Sequence, residues 1–350
     1  MNDSVKLLAV LVLGLVIGAG AMFIAAPGAG GSAGPRYTIT SSGSTTVLPL
    51  SEEWASQIGT DLPQFRFDPT GGGSGTGQSD AAAGLVDIGA SSSYPSLTYR
   101  TDNPHVAILP ISADGLGLVV NTNVNATMEL DCDMVVAVFQ RNVTTWEEFE
   151  STFDVTIAAT GAINVYARSD ASGTTATFGK WLQTADDTVN PNANYEWGYG
   201  SSESITWASG VNAVDGNPGV RSAVLGDNNG IGYVGLAFMD DLVKCDLYNP
   251  TTGEYVEPTI ENVLKALPDP ITDAGVNLFN ADVPGAYPIA RLLFYLINTE
   301  HVTWYVVEFL TWCLTRGQAH ISTVGYVPIE GTSAQVYAFQ VIGTLVPPTA

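Results

Sequence analysis

Beyond residue 35, short apolar runs alternate along the chain with longer amphipathic stretches. Residues 36–40, 65–68 and 86–89 form short runs bounded by turn residues, which favours β-strands. Residues 48–58 carry apolar side chains at helical spacing, and polar turns separate them from the strands on either side. This alternation of strand and helix predicts an α/β fold with a largely parallel sheet.

The same alternation continues through the second half of the chain. Residues 134–153 read as helix–turn–helix, with Trp146 and Phe149 in the core. Further predicted elements are strands at 116–121, 162–167 and 230–234, a helix starting at Pro218, a strand starting at Ala286 and a long C-terminal helix over 302–317.

The N-terminal segment is predicted to be a targeting sequence and not part of the folded domains. Residues 7–26 form an unbroken run of apolar residues and glycines, about 20 residues long and enough to span a bilayer. A Gly/Ala-rich linker follows, so residues 1–35 form a segment of their own. The run is read either as an uncleaved membrane anchor or as a cleaved signal peptide. In both cases the rest of the chain is exported.

The length and charge of the chain restrict the possible domain number and binding partners. A chain of 350 residues is long enough for about two domains. Its 35 acidic and 12 basic residues give a net charge of -23, which argues against nucleic acid and anionic lipid as partners. The three cysteines Cys132, Cys245 and Cys313 lack metal-ligand spacing. They are read as buried apolar residues, with a disulfide between Cys132 and Cys245 as the alternative.

Three strand-to-helix turns share one composition of glycine and small hydroxyl residues. They are Ser41-Ser-Gly-Ser-Thr-Thr46, Gly71-Gly-Gly-Ser-Gly-Thr-Gly77 and Asp170-Ala-Ser-Gly-Thr-Thr175. The start of a helix offers unpaired N–H groups and partial positive charge, hydroxyls add donors, and glycine lets a ligand approach the backbone. Any one turn is equally typical of an ordinary helix cap. Three of them in one chain indicate a site for an anion.

Arg168 stands at the start of the third turn in a chain that has little positive charge. A guanidinium can bind two oxygens of an oxyanion at once, and Asp170, two residues on, is placed to hold it. The alternative is a surface ion pair of little energetic value.

Motifs for catalysis are missing from the sequence. It has no phosphate-binding loop of the nucleotide-hydrolase type and no Gly-x-Ser-x-Gly nucleophile turn. His105, His301 and His320 lie outside the three turns. The serines of the turns therefore have no histidine nearby in sequence to act as a general base. No catalytic residue, metal site or cofactor is therefore predicted, and the pattern favours binding over bond breaking.

The turns resemble those of the phosphate-binding proteins of phosphate ABC transporters, which have the type II periplasmic-binding-protein fold. The resemblance covers most of residues 37–330. It rests on four motifs in order: Gly43-Ser-Thr-Thr-Val-Leu-Pro-Leu, Gly73-Ser-Gly-Thr-Gly, Val86-Asp-Ile-Gly-Ala-Ser-Ser and Arg168-Ser-Asp-Ala-Ser-Gly-Thr.

The resemblance implies two α/β domains, joined by hinge strands, with the anion held in the cleft between them. The expected division is 36–113 with 287–350 for domain I and 114–286 for domain II. The implied phosphate ligands are Ser44, Thr45, Thr46, Ser74, Ser92, Arg168, Ser172, Gly173 and Thr174, with Asp170 in support.

One position departs from the best-studied branch of that family. Where the branch has an aspartate that accepts a hydrogen bond from the protonated oxyanion, this chain has Ser92. A hydroxyl can accept a hydrogen bond but can also donate one, so strict rejection of sulfate is not implied.

The function implied by the resemblance is the capture of inorganic phosphate outside the cytoplasm for an ABC-type importer, whose permease subunits would be partners. The N-terminal segment would tether the protein to the membrane. The alternatives are a binding protein for another tetrahedral oxyanion, such as sulfate or molybdate, and a surface sensor that has kept the fold.

Overall fold

The computed structural model describes residues 35–188 and 195–345, and the segment at 7–26 lies outside them. The strands are β1 Tyr37–Gly43, β2 Phe65–Gly72, β3 Ile88–Ser91, β4 Val106–Val120, β5 Met128–Leu130, β6 Asn164–Arg168, β7 Val211–Val214, β8 Gly230–Gly235, β9 Val243–Asn249, β10 Glu254–Val256 and β11 Ala290–Asn298. The α-helices are α1 Leu48–Asp61, α2 Ser74–Ala83, α3 Leu97–Asp102, α4 Cys132–Phe139, α5 Trp146–Phe153, α6 Gly173–Thr188, α7 Gly216–Leu225, α8 Ile260–Lys265, α9 Trp304–Cys313 and α10 Ser333–Ile342. Two 3₁₀ segments occupy Leu236–Phe238 and Arg316–Val324.

Eight of the eleven described strands follow one path in the order β2-β1-β3-β11-β4-β8-β6-β7, and β9 pairs with β4, β5 and β10 off this path. Strand β1 pairs in parallel with β2 and β3, and β6 pairs in parallel with β7 and β8. Strands β4 and β11 run antiparallel to their neighbours. The sheet is therefore parallel where the glycine-rich turns leave it and antiparallel between those two regions.

Strand β4 joins two lobes. Its residues up to Gly115 pair with β11, and its residues from Leu116 onward pair with β8. The first lobe is built on β1, β2, β3, β11 and the start of β4, and the second on the end of β4 with β6, β7 and β8. The predicted α/β architecture of two domains with hinge strands is confirmed. The boundaries at 113/114 and 286/287 stay a prediction, although the change of partner on β4 lies close to the first of them.

Each lobe has an aromatic core directly behind the turns. In the first lobe, the Trp54 ring packs edge-on against Tyr295 at 5.8 Å between centroids. In the second lobe, Phe178 stacks on Tyr233 at 4.4 Å, and both side chains are fully buried. Burying side chains of this size stabilises a fold by about 2–3 kcal/mol each. The helices that start at the turns are thereby fixed against the sheet.

Several predicted elements have different limits in the structure; the strand predicted to start at Ala286, for example, begins at Ala290. The predicted strand at 116–121 is the end of β4, which begins ten residues earlier, at Val106. Pro110, Ser112 and Asp114 interrupt the apolar pattern there, although all lie in the strand. The predicted helix over 302–317 ends at Cys313, because Thr315 has φ -118° and ψ -95°, which α-helical residues do not adopt.

The cysteines form no disulfide. Cys245 and Cys313 are fully buried, as predicted, and burial raises the pKa of both thiols. Cys132 is only half-buried, contrary to the prediction, because it begins α4 at the edge of the core, and its thiol donates to the Leu182 carbonyl oxygen at 3.7 Å.

Candidate oxyanion-binding site

The carboxyl ends of the parallel strands bring the predicted residues together. Ser44, Thr45 and Thr46 follow β1, Ser74 follows β2 at the start of α2, and Ser92 follows β3. From the other lobe, Ser172, Gly173 and Thr174 follow β6 at the start of α6. Parallel strands end at the same edge of a sheet, where ligands of open α/β sheets bind. Contacts across the interface between the lobes join these groups into one cluster.

Arg168 is the cation of this cluster. Its guanidinium is held by Asp170, with Nε 2.7 Å from Oδ1 and Nη2 2.5 Å from Oδ2. Nη2 also donates across the interface to the Thr45 hydroxyl at 2.9 Å. The side chain is only 1% exposed, so this is not the surface ion pair that the sequence left open.

The third guanidinium nitrogen of Arg168, Nη1, is evidence for a ligand at this position. Nη1 is buried and has no hydrogen-bond acceptor among the residues that the structure describes. A buried N–H group without a partner costs about 1–3 kcal/mol, and more when it is charged. An oxyanion oxygen at this position would supply the missing acceptor.

Asp170 is held in its ionised form. Partial burial raises the pKa of its carboxyl group, but the hydrogen bonds and charge of Arg168 outweigh burial, and the net pKa lies below the ordinary value. The Gly216 N–H adds a hydrogen bond to Oδ1 at 3.2 Å. Asp170 therefore neutralises and orients Arg168 and has no proton to give to a bound anion.

Two of the predicted serines also accept hydrogen bonds from backbone N–H groups of their own turns. The Ser44 hydroxyl accepts from the N–H groups of Thr46 and Val47, at 3.2 and 3.3 Å. The Ser172 hydroxyl accepts from the Thr175 N–H at 3.1 Å. A hydroxyl that accepts in this way still has its own hydrogen to donate. The capping alternative therefore holds for Ser172, which directly precedes α6, and is compatible with anion binding, whereas the N-cap of α1 is Val47.

Ser74 and Ser92 form a pair on the first lobe. Ser74 accepts from the Ser92 N–H at 3.0 Å, and their hydroxyl oxygens lie 3.2 Å apart. Both serines are almost completely buried. Gly173, from the second lobe, packs directly against this pair.

The absence of a side chain at Gly173 permits the close contact. A Cβ atom there would lie 2.5 Å from the Ser74 oxygen, 2.7 Å from the Ser92 oxygen and 2.8 Å from the Ser93 nitrogen. All three distances are shorter than real Cβ contacts.

Replacing Gly173 by alanine should therefore keep the lobes apart and weaken anion binding by about tenfold or more, as titration calorimetry would measure. Gly59→Ala is the matched control, because a Cβ there, near the end of α1, meets nothing within 4 Å. Wild-type affinity in the Gly173 variant would show that the lobes do not close through this contact.

Three buried residues of the site were not predicted. Asn217, near the start of α7, donates through Nδ2 to the Thr46 hydroxyl at 2.8 Å. Arg291, on β11, donates to the Thr174 hydroxyl at 3.1 Å and to the Ser92 carbonyl oxygen at 3.2 Å. Its charge is balanced by the fully buried Asp114, at 2.6 Å. The site thus contains a second arginine with its own carboxylate.

A fourth unpredicted residue, Glu203, crosses the interface beside the site. Its carboxylate accepts from Gln78 Nε2 at 2.6 Å and from the Ser93 hydroxyl at 2.9 Å, both in the first lobe. Burial raises the pKa of Glu203, and the two hydrogen bonds oppose this change. Glu203 therefore helps to hold the lobes together and lies one layer outside the hydroxyl cluster.

Aromatic side chains of the second lobe hydrogen-bond to the turn that begins at Arg168. The Tyr233 hydroxyl lies 2.6 Å from the Thr175 hydroxyl and accepts from the Arg168 N–H at 3.3 Å. Trp207 donates its indole N–H to the Arg168 carbonyl oxygen at 3.1 Å. The backbone of the turn is therefore fixed before a ligand binds.

Metal sites and membrane-spanning helices each need a recognisable arrangement of residues. Within the described residues, no group of three His, Cys, Asp or Glu side chains is arranged to hold a metal ion. In the same parts of the chain, no helix is both long enough and apolar enough to cross a bilayer.

The chain is similar in sequence and in fold to proteins named or described as phosphate-binding. The phosphate-binding protein PstS of Methanocaldococcus jannaschii is 27% identical over 96% of this chain and 95% of its own length. PstS of Xylella fastidiosa is 26% identical over 83% of this chain and 81% of its own. The crystal structure of a putative phosphate ABC transporter substrate-binding protein with bound phosphate, from Clostridium perfringens, is 21% identical and superposes with a TM-score of 0.65 over 84% of this chain and 100% of its own.

The profile of the family described as "PBP superfamily domain" matches residues 28–316, more than four fifths of the chain. That span includes all four glycine- and hydroxyl-rich motifs and Arg291. This protein therefore belongs to the PBP superfamily.

Proposed function

We propose that this protein captures inorganic phosphate outside the cytoplasm and delivers it to an ABC-type phosphate importer. The observation that carries the proposal is the buried Arg168 Nη1, which lacks an acceptor amid a cluster of hydroxyl donors. The PstS names of the relatives, and the phosphate bound in the Clostridium perfringens structure, support phosphate as the oxyanion.

The proposed ligands are the predicted ones. Arg168 Nη1 supplies the charged donor, and the hydroxyls of the turns supply neutral donors around it. Hydrogen bonds to a charged group contribute about 1.5–3 kcal/mol each, so several together can offset dehydration of the anion. The predicted set is Ser44, Thr45, Thr46, Ser74, Ser92, Arg168, Ser172, Gly173 and Thr174.

Release and uptake would use the hinge. Strand β4 changes partner between Gly115 and Leu116, and every hydrogen bond that Thr45 accepts from Arg168 or Asn217 crosses between the lobes. Opening at β4 and β11 would break these contacts together and expose the anion. The proposed domains are 36–113 with 287–350, and 114–286.

The proposal is a binding function without chemistry on the anion. The three histidines lie away from the cluster in sequence, and the site carboxylates are held by arginine. Asp114 and Asp170 each accept two guanidinium hydrogen bonds, which leaves neither placed as a general base. Tethering through residues 7–26 and docking on permease subunits belong to the same proposal.

Another tetrahedral oxyanion is the second candidate, because Ser92 replaces an acidic acceptor. Competition between phosphate and sulfate for the full chain, measured by calorimetry at several pH values, separates the two. We expect phosphate to displace sulfate at neutral pH. Sulfate that binds as tightly as phosphate would refute the phosphate assignment.

A further inference from the structure

The threonine hydroxyls of the site are surrounded by nitrogen donors. A hydroxyl has one hydrogen to donate and two lone pairs that accept. The Thr46 hydroxyl oxygen accepts hydrogen bonds from Asn217 Nδ2 at 2.8 Å and from Arg291 Nη2 at 3.5 Å. Amide and guanidinium nitrogens of this kind can only donate. Both lone pairs of Thr46 are therefore occupied, and its hydrogen has to point elsewhere.

The hydrogen of Thr46 goes to Thr174. The two hydroxyl oxygens lie 2.8 Å apart, and the distance alone does not give the direction of the bond. Because Thr46 has no lone pair left, it is the donor. Thr174 then accepts from Thr46 and from Arg291 Nη1, at 3.1 Å. Its own hydrogen is the one left for the ligand, so the predicted ligand Thr46 acts through Thr174 and not through its own hydroxyl.

Arg291 is anchored firmly enough to impose this order. Its Nε and Nη2 donate to Asp114 Oδ2 at 3.0 and 2.6 Å. The Leu236 N–H donates to the other oxygen of the same carboxylate at 3.1 Å. The arginine is 5% exposed and the carboxylate 0%, so water does not compete for these groups.

We propose that Arg291 is a positioning residue for oxyanion binding: with Asn217 it fixes the direction of the Thr46–Thr174 hydrogen bond, so that the Thr174 O–H is presented to the ligand. This inference rests on the proposed function and assigns a role to an arginine that need not touch the anion. Its own five N–H groups are all engaged with protein oxygens.

Ser92 differs from the other hydroxyl residues of the site in the hydrogen bonds that it accepts. Ser44, Thr45, Thr46, Ser74, Ser172 and Thr174 each accept from at least one N–H group. Within the described parts of the chain, the Ser92 hydroxyl hydrogen-bonds only to the Ser74 hydroxyl. Ser92 is therefore the hydroxyl of the set with the most capacity to accept a hydrogen bond from a protonated oxyanion.

A double-mutant cycle tests the role of Arg291. Thr174→Val is measured in the wild-type chain and in the Arg291→Gln/Asp114→Asn background, which removes the buried charge pair as a unit and leaves no unpaired carboxylate. With Arg291 in place we expect Thr174→Val to weaken phosphate binding by about tenfold or more. Without it the hydroxyl is free to turn away, and we expect a loss of about threefold or less.

Circular dichroism and thermal melting establish that each variant is folded. If the double-substituted background fails to fold, Arg291→Lys replaces it, because one ammonium can pair with Asp114 but cannot also serve both threonines. Equal losses from Thr174→Val in the two backgrounds would overturn the inference, since a merely structural arginine would leave them equal. If the wild-type chain binds no oxyanion, the proposed function fails as well; if it binds and the cycle shows no coupling, only the inference fails.

Discussion

Removing the Arg168–Asp170 pair by Arg168→Met with Asp170→Asn will weaken phosphate binding by about 100-fold or more. The guanidinium supplies the charged N–H donors that the anion would meet, and each is worth about 1.5–3 kcal/mol. The aspartate is changed with it because an unpaired carboxylate beside the anion would add a separate repulsion. Titration calorimetry on folded variants measures the loss.

The chain offers a matched control for this experiment. Arg66 and Asp68 on β2 have the same spacing and form an ion pair at 2.7 Å, but their side chains are 59% and 37% exposed. Exposed pairs contribute about 0–1 kcal/mol, so Arg66→Met with Asp68→Asn should leave phosphate binding unchanged. A similar loss in both variants, or none in the Arg168 variant, would show that the anion does not bind at Arg168.

Replacing Ser92 by aspartate will make the site reject sulfate. A carboxylate at this position accepts a hydrogen bond from phosphate, which carries a proton near neutral pH. It faces sulfate, which carries none, with a like charge that costs several kcal/mol. We expect the ratio of phosphate to sulfate affinity to rise by about 100-fold or more.

The isosteric variant Ser92→Asn separates charge from size in this prediction. It brings the same volume into the contact with Gly173 but no negative charge, and we expect its ratio of affinities to stay within about threefold of wild type. Unchanged sulfate binding in the aspartate variant would mean that residue 92 does not face the oxyanion.

The parts of the site that could be predicted are local in sequence. A strand end followed by Ser-Gly-Thr indicates an anion-binding helix start, and an arginine two residues before an aspartate indicates a held guanidinium. Both readings need only neighbours along the chain. The hydrogen bonds of Arg168 to Asp170 confirm the second of them.

The unpredicted residues act over long separations. Arg291 lies 177 positions from Asp114, and Asn217 lies 171 positions from Thr46. Neither pairing follows from spacing, because Arg291 and Asp114 are opposed in the β11–β4 strand pair and Asn217 reaches Thr46 across the interface between the lobes. One signal was available: Arg291 and Asp114 are single charges within apolar strands, and a buried charge requires a partner.

The sequence predicted the fold best where apolar residues recur at the spacing of a strand or a helix. The alternating strands and helices of residues 36–91 were predicted for this reason. Strand β4 was predicted only in part, since Pro110 and Asp114 break its pattern. Asp114 interrupts the apolar pattern of β4 because it serves the site, where it is the counter-charge of Arg291.

The location of the bound anion tests the central claim most directly. Arsenate has the shape, charge and protonation of phosphate, and its arsenic atom can be located in crystals by anomalous scattering. We predict one anomalous peak between the lobes, with an arsenate oxygen within hydrogen-bond distance of Arg168 Nη1 and of the Thr45 and Thr174 hydroxyls. A peak elsewhere, or none under conditions where calorimetry shows binding, would contradict this location.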